Sequence, residues 1–164
     1  MSTYRRRLAA IANKLICGVD FSKQPDNELW YITTDEQKVD SSEINLIGGY
    51  DKQVDLQVVS HTYENGIGKV RYNADVVKFG EGVFRFVENC LLVSLPRKVV
   101  EIRAFSFGNS TLNAIGYLVL LSSEEVEYNT SFKPYIRNTL YVQPNCAQYY
   151  KDIFSNINII EKKI

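Results

Sequence analysis

His61 is the only histidine in this chain of 164 residues, so any Ser/His/Asp or Cys/His nucleophilic system would have to be built on it. It lies close to an Asn65-Gly66 dipeptide, with no nucleophile motif around it, and reads as an exposed or turn-capping residue. Glu124, Glu125 and Glu127 crowd three carboxylates into one stretch. Glycoside hydrolysis instead needs two carboxylates facing each other across a cleft, so this run reads as a solvated face. Gly80-Glu81-Gly82 is too short to cradle a phosphate and reads as turn chemistry. Asp51 and Asp55 come nearest to a calcium-type pair, but no further ligand spacing accompanies them. Cys17, Cys90 and Cys146 are an odd number without close spacing, which fits buried thiols better than a metal pair or a disulfide framework. These residues predict a non-enzymatic chain with no cofactor and no metal.

Composition narrows the classes further. Apolar residues make up 45% of the chain, enough for a core, and the length suits one domain or one domain with an arm. Nineteen basic and nineteen acidic residues cancel, which removes the broad electrostatic case for nucleic acid or an anionic membrane surface. No apolar run approaches the ~18 residues that a membrane-spanning helix needs. Eleven tyrosines and eight phenylalanines suit packing and binding equally.

The elements that must position these residues are mostly strands. Glu28 to Thr33 reads as a strand, Thr34 to Gln37 as a turn, and Lys38-Val39-Asp40 as the return strand of a hairpin. Trp30 is expected to pack that hairpin against the rest, the other reading being an exposed aromatic for sugar or protein contact. Gln53 to Ser60 is strand-like, and Asn65 to Gly68 is a turn. Thr139 to Val142 reads as a last strand, and Pro144-Asn145 opens a short helix over Cys146 to Phe154.

Between these lie two segments that coincide at a separation of 23 residues. Val70, Tyr72, Val76, Val77, Phe79 and Phe84 fall on Val93, Leu95, Val99, Val100, Ile102 and Phe107. A period of 20 to 30 residues signals a solenoid, whose units bury their apolar faces only by stacking. A third, degenerate unit begins at Leu112.

Residues 1–24 differ from the rest. Leu8, Ile11, Ala12, Leu15 and Ile16 recur at helical spacing, behind Arg5, Arg6 and Arg7. Cations oppose the helix dipole at that end, so their presence implies a use other than helix stability: a partner contact or a targeting signal. As a signal peptide the segment is poor. Asn13 and Lys14 break the apolar run, and Ile16 is too large to precede a lipoprotein-type cleavage at Cys17.

The repeat residues resemble the BspA-like leucine-rich repeats of gut Bacteroidetes. Leu95-Pro96 matches the end of the family's strand. Phe79-Gly80-Glu81-Gly82-Val83-Phe84 matches its Ile-Gly-x-x-Ala-Phe run, which Ile102 to Phe107 matches more loosely, with Arg103 in place of the glycine. Val87 and Cys90 take its Cys and Leu slots. Asn27 to Tyr31 with Thr33-Thr34-Asp35 looks like its N-terminal hairpin. Leu140 to Pro144 with Tyr149-Tyr150-Lys151 looks like its closing strand and helix. Separately, Met1-Ser2-Thr3-Tyr4-Arg5-Arg6-Arg7-Leu8 resembles the Tyr-Arg-Arg-Arg-Leu opening of small structural or host-binding proteins from phages and prophages of these bacteria. Such a protein needs no export signal, because it leaves the cell with the particle.

The resemblances imply a mainly β, short leucine-rich-repeat solenoid. Residues 1–24 would be a helical arm, 25–67 an N-terminal hairpin cap, 68–138 the repeats, and 139–164 a closing strand and cap helix. They imply a non-enzymatic structural or adhesive part of a bacteriophage virion, in the tail apparatus more than the head. Tyr4, Arg5, Arg6, Arg7, Leu8, Ile11, Leu15 and Ile16 would dock it onto other virion proteins in multiple copies. The repeat domain would face the assembly or a host protein or glycan. The alternatives are a bacterial cell-surface adhesion protein and an accessory module of a glycan-active enzyme.

Overall fold

Runs of leucine, β-branched and aromatic residues set the strands. In the computed structural model the described residues are 18–40, 45–85, 87, 89–108, 115–123, 126–128, 136–154 and 156–163. Ten strands occur among them: β1 (Glu28–Thr33), β2 (Val58–Glu64), β3 (Ile67–Tyr72), β4 (Lys78–Phe79), β5 (Cys90–Leu95), β6 (Glu101–Ile102), β7 (Ile115–Leu120), β8 (Glu127–Tyr128), β9 (Ile136–Val142) and β10 (Asn158–Glu161). A 3-10 turn covers Phe21–Lys23, and a short helix, α1 (Ala147–Ile153), separates β9 from β10.

Seven strands form one mixed sheet in the order β10-β9-β7-β5-β1-β3-β2, and β4-β6-β8 form a small parallel sheet. β5, β7, β9 and β10 run parallel, whereas β1 lies antiparallel to both its neighbours, β3 and β5. β2 and β3 are a hairpin across Asn65 and Gly66. Both of these residues have positive φ, the pairing that a type I′ turn requires. The main core fills the space behind the large sheet. Leu29, Tyr31, Val70, Tyr72, Val93, Leu95, Leu118 and Leu140 supply the sheet side, and Val76, Phe79, Val83, Phe84, Val99, Ile102 and Phe107 supply the other. Beyond β9, Ala147 and Tyr150 of α1 bury against the same core. Glu161 on β10 accepts from the backbone N–H groups of Asn145 (3.1 Å) and Ala147 (3.3 Å) at the start of α1.

The mainly β class stands, but the solenoid expectation is corrected. The large sheet is one continuous mixed sheet, and β1 is inserted between β3 and β5. The strands carrying Val70 and Val93 therefore do not stack on each other. Val70 pairs with Leu29, and Val93 with Tyr31. β1 is a central strand rather than the first half of a capping hairpin, and Lys38 to Asp40 forms no strand. The successive parallel steps are also unequal. Lys78 pairs with Glu101, Glu101 with Glu127, and Tyr117 with Thr139, separations of 23, 26 and 22 residues. The 23-residue correspondence survives only in β4 and β6 and in the turns after them. Phe84 and Phe107 there are both fully buried with positive φ, and the Phe107 N–H donates to the Val83 carbonyl at 2.8 Å. Of the helical arm expected over residues 1–24, residues 1–17 lie outside the described residues; in the remainder Phe21–Lys23 form a 3-10 turn.

Tyr31 fills the centre of the main core, and β3 yields to it. Gly68 pairs with Tyr31, and a Cβ at Gly68 would sit 2.0 Å from the Tyr31 ring. Gly68→Ala is expected to cost about 3 kcal/mol or more, because rigid ring and backbone must both shift. Gly66→Ala has open space and meets only the left-handed backbone, so about 1–2 kcal/mol is expected there. Urea unfolding of the two variants side by side tests the difference. Equal losses would mean that the Tyr31 ring does not cross β3 as described.

Candidate interaction site

Alternation along the strands points a second apolar set away from the main core. Trp30 and Ile32 of β1, Leu92 of β5, Tyr117 and Val119 of β7, and Tyr141 of β9 share the opposite face of the large sheet. They are as buried as core residues: Val119 is 0% exposed, Tyr117 5% and Trp30 7%. The Tyr117 and Tyr141 rings stack with centroids 6.4 Å apart. At the β3 side this patch ends in charge. Lys69 Nζ sits 5.0 Å over the Trp30 ring, and Trp30 Nε1 donates to Glu28 at 2.8 Å. Phe21, 6.4 Å from Trp30, lies on the same face.

A polar clamp holds the chain where it reaches this face. Gln24 and Ser94 are both fully buried. The Gln24 amide donates to the carbonyls of Glu28 (2.8 Å) and Ser94 (3.0 Å), and the Ser94 hydroxyl donates back to Gln24 Oε1 at 2.7 Å. Arg97 closes over the outside, donating to the carbonyls of Gln24 (2.5 Å), Ser22 (2.6 Å) and Phe21 (3.3 Å). Five hydrogen bonds to carbonyls and one to the Gln24 side chain fix residues 21–24 against β5.

The residues with chemical potential are engaged elsewhere. His61 Nε2 lies 2.6 Å from the Tyr31 hydroxyl, which also accepts from the Val39 N–H at 3.3 Å. The hydroxyl proton is thus assigned to His61. Burial, with Lys38 adding a smaller repulsion, pushes the imidazole below its usual pKa. Burial also raises the Tyr31 hydroxyl. Asp51 is bound by Lys78 (2.9 Å) and Arg103 (2.6 Å), which both also reach Glu101 (3.1 and 2.5 Å). The hydrogen bond from Lys78, with the Arg103 charge, holds the Asp51 carboxyl below its usual range. Gly80 pairs closely with the backbone near Gly48 and donates to the Ile47 carbonyl at 3.1 Å, so the Gly80-Glu81-Gly82 run serves close backbone approach. Cys90 is buried, its thiol pushed up by burial, and Cys146 is buried beside α1. Among the described residues no group of three or more His, Cys, Asp or Glu side chains could hold a metal ion. No helix among them is long and apolar enough to cross a membrane. A shallow depression of about 330 Å³ is lined by Val77, Arg97, Lys98, Val100, Ser122 and Ser123. Its two cations are already engaged, Arg97 in the clamp and Lys98 with Asp75 at 2.6 Å.

The expected docking residues Tyr4, Arg5, Arg6, Arg7, Leu8, Ile11, Leu15 and Ile16, and likewise Cys17, Glu124 and Glu125, lie outside the described residues. Trp30 does not join a hairpin to the repeats; it lies on the second face, away from the main core. That face and the clamp were not anticipated from the sequence, although a signal existed. Every residue of β5 and of β7 is buried. Continuous apolar runs such as Leu91-Leu92-Val93 and Leu118-Val119-Leu120-Leu121, in place of alternation, mark a sheet covered on both sides.

Two measurements probe this arrangement. Gln24→Leu strands the Ser94 hydroxyl and two buried carbonyls, so a loss of about 2–4 kcal/mol is expected in denaturant unfolding. Because the folded protein depresses the His61 pKa, the contribution of neutral His61 is complete above its unfolded value of about 6.5, begins to fall below that value and is lost as pH falls through the lower folded value. The melting temperature should therefore drop between pH 7 and 5, and the drop should shrink in His61→Gln. An unchanged slope would place the titration elsewhere. No protein-family model, no curated protein and no solved structure matches this chain.

Proposed function

We propose that this protein is a non-enzymatic structural or adhesive component of a phage particle, in the tail apparatus more than the head. It is attached through its N-terminal segment, Tyr4 to Ile16, with the β domain exposed for assembly or host-surface binding. The resemblance of Met1 to Leu8 to phage structural proteins supports the particle setting. The observation that carries the attachment reading is the clamp. Gln24, Ser94 and Arg97 fix residues 21–24 beside a buried aromatic face, so the point at which the N-terminal segment joins the body is a defined one. Attachment at a fixed point suits a part repeated on a symmetric particle, where many copies turn weak single contacts into firm ones.

Mass spectrometry of particles purified from the source culture should detect the chain. Replacing Arg5, Arg6 and Arg7 together by Glu in the full chain should abolish incorporation while leaving the β domain folded. Absence from particles, or undiminished incorporation of the charge-reversed chain, would overturn the reading. Recovery in a membrane fraction with cleavage near Cys17 would transfer the protein to the bacterial surface.

A further inference from the structure

Residues 34–40, which follow β1, are fastened to the body at one apolar point. Val39 is buried, and the residues on either side of it are exposed. Thr34 and Asp35 are tied to Asn89, and Gln37 to Thr33. Glu36, between them, holds a positive φ that a residue with a Cβ adopts at a cost. At Val39 the side chain enters the main core, and the backbone N–H donates to the Tyr31 hydroxyl at 3.3 Å. That hydroxyl faces His61 Nε2 at 2.6 Å. Val39 N–H, Tyr31 O–H and His61 Nε2 form one directional relay, in which each donor has its acceptor and each bond polarises the next. We infer that this relay is an acid-released latch: neutral His61 holds residues 34–40 shut against the core, and the imidazolium lets them go.

The neutral ring fits this site and the charged ring does not. With Nε2 accepting, the ring proton sits on Nδ1, and Nδ1 is buried without a hydrogen-bond partner. A second proton goes to Nε2 and aims its N–H at the Tyr31 oxygen, which already accepts from Val39. The hydroxyl must then give up its own donation to the ring, and the direction of the relay is lost. Among the described residues no carboxylate pairs with His61, and the charge that acts on it is Lys38, which repels an imidazolium. The other groups around the relay carry no acid to offset this. Tyr63 on β2 and Cys90 on β5 lie near Tyr31 with a hydroxyl and a thiol, Phe84 packs on its ring, and Val70 on β3 stands across from His61. Solvent is the available refuge. β2 is the edge strand of the large sheet and His61 is partly exposed, so a charged ring gains water by turning outward. Tyr31 cannot follow, because it is fully buried at the centre of the core. The movement is therefore confined to the His61 ring and to residues 34–40. The inference stands independently of the phage reading.

Backbone hydrogen exchange, followed by NMR on the full chain and corrected for the intrinsic effect of pH, separates Val39 from the strands. Between pH 7 and 5, well below the melting temperature, protection of the Val39 amide should fall by up to about tenfold for each unit by which the fold depresses the His61 pKa. The amides of β1, β3 and β5 should keep theirs. In His61→Gln, which takes no charge, Val39 protection should be the same at both pH values. Lys38→Glu eases the imidazolium in the closed form, so the acid response should shrink there. Val39 protection that does not depend on pH in the unmodified chain, or that falls equally in His61→Gln, would overturn the inference. So would a loss of protection in step across Val39 and the three strands, which would make His61 a support of the whole fold. If His61→Gln does not fold, the Lys38→Glu comparison decides alone, and an undiminished acid response there counts against the latch. Particle incorporation enters none of these readouts, so failure here is separable from failure of the proposed function.

Discussion

A sheet whose central strands are apolar on both faces needs a layer on each, and the rest of this structure follows from that requirement. β1 alternates Leu29 and Tyr31 toward one side with Trp30 and Ile32 toward the other. The first side is closed by the small sheet and its turns, through Val76, Phe79, Phe84 and Phe107. The second begins to close at Phe21, and the groups that fix Phe21 are the buried Gln24–Ser94 pair and the overlying Arg97. A buried amide is costly unless its donors and acceptor are used, and here each finds a partner. The pair therefore fixes where the chain leaves the second face and enters β1.

The same economy governs the ionisable residues. Lys78 and Arg103 each join Asp51 on the loop before β2 to Glu101 on β6, a closed ring of two cations and two carboxylates. A ring of this kind at a partly exposed surface adds little stability per pair but sets register, since each cation has two partners and a slip of one residue breaks both contacts. His61 and Tyr63 from β2 reach over β3 to the Tyr31 ring, which also meets Phe84 from the turns of the small sheet. One tyrosine thus links the hairpin, the central strand and the opposite layer. The polar residues that attract notice in the sequence are structural ties between elements far apart in the chain.

Local features were legible in the sequence, and long-range pairing was not. The strand read over Glu28 to Thr33 is β1, and the helix read over Cys146 to Phe154 contains α1, because apolar pattern and Pro-Asn punctuation act over a few residues. The Asn65-Gly66 turn followed from the dipeptide itself. The partner of β1 did not. Lys38 to Asp40 has one apolar residue, Val39, and its backbone N–H goes to the Tyr31 hydroxyl instead of a strand ladder. The true partners of β1 lie some 40 and 60 residues away in β3 and β5, and nothing in a local window selects them. The 23-residue repeat holds as a correspondence in β4, β6 and the turns after them, and fails as an architecture. Val77 and Val100 do hydrogen-bond, and Phe79 meets Ile102, but β1 occupies the place where the larger strands would have met. The aromatic second face was hidden by reading Trp30 alone. Its neighbours Leu92, Val119 and Tyr141 come from three other strands and form a surface only after folding.

The position of β1 also bears on what the molecule can offer a partner. An apolar patch spanning four strands exceeds what soluble monomers usually expose, and here it is buried, with Val119 0% and Trp30 7% exposed, so it is not a surface held open for a partner. The sheet edges are poorer candidates for firm attachment. β2 is exposed along most of its length and carries an irregular register at Val58 to Ser60, and β10 is a four-residue strand. Short or kinked edges of this kind resist strand addition. A sheet buried on both faces, with edges that resist strand addition, leaves the segment ahead of the Gln24–Ser94 clamp as the route along which the proposed attachment would run.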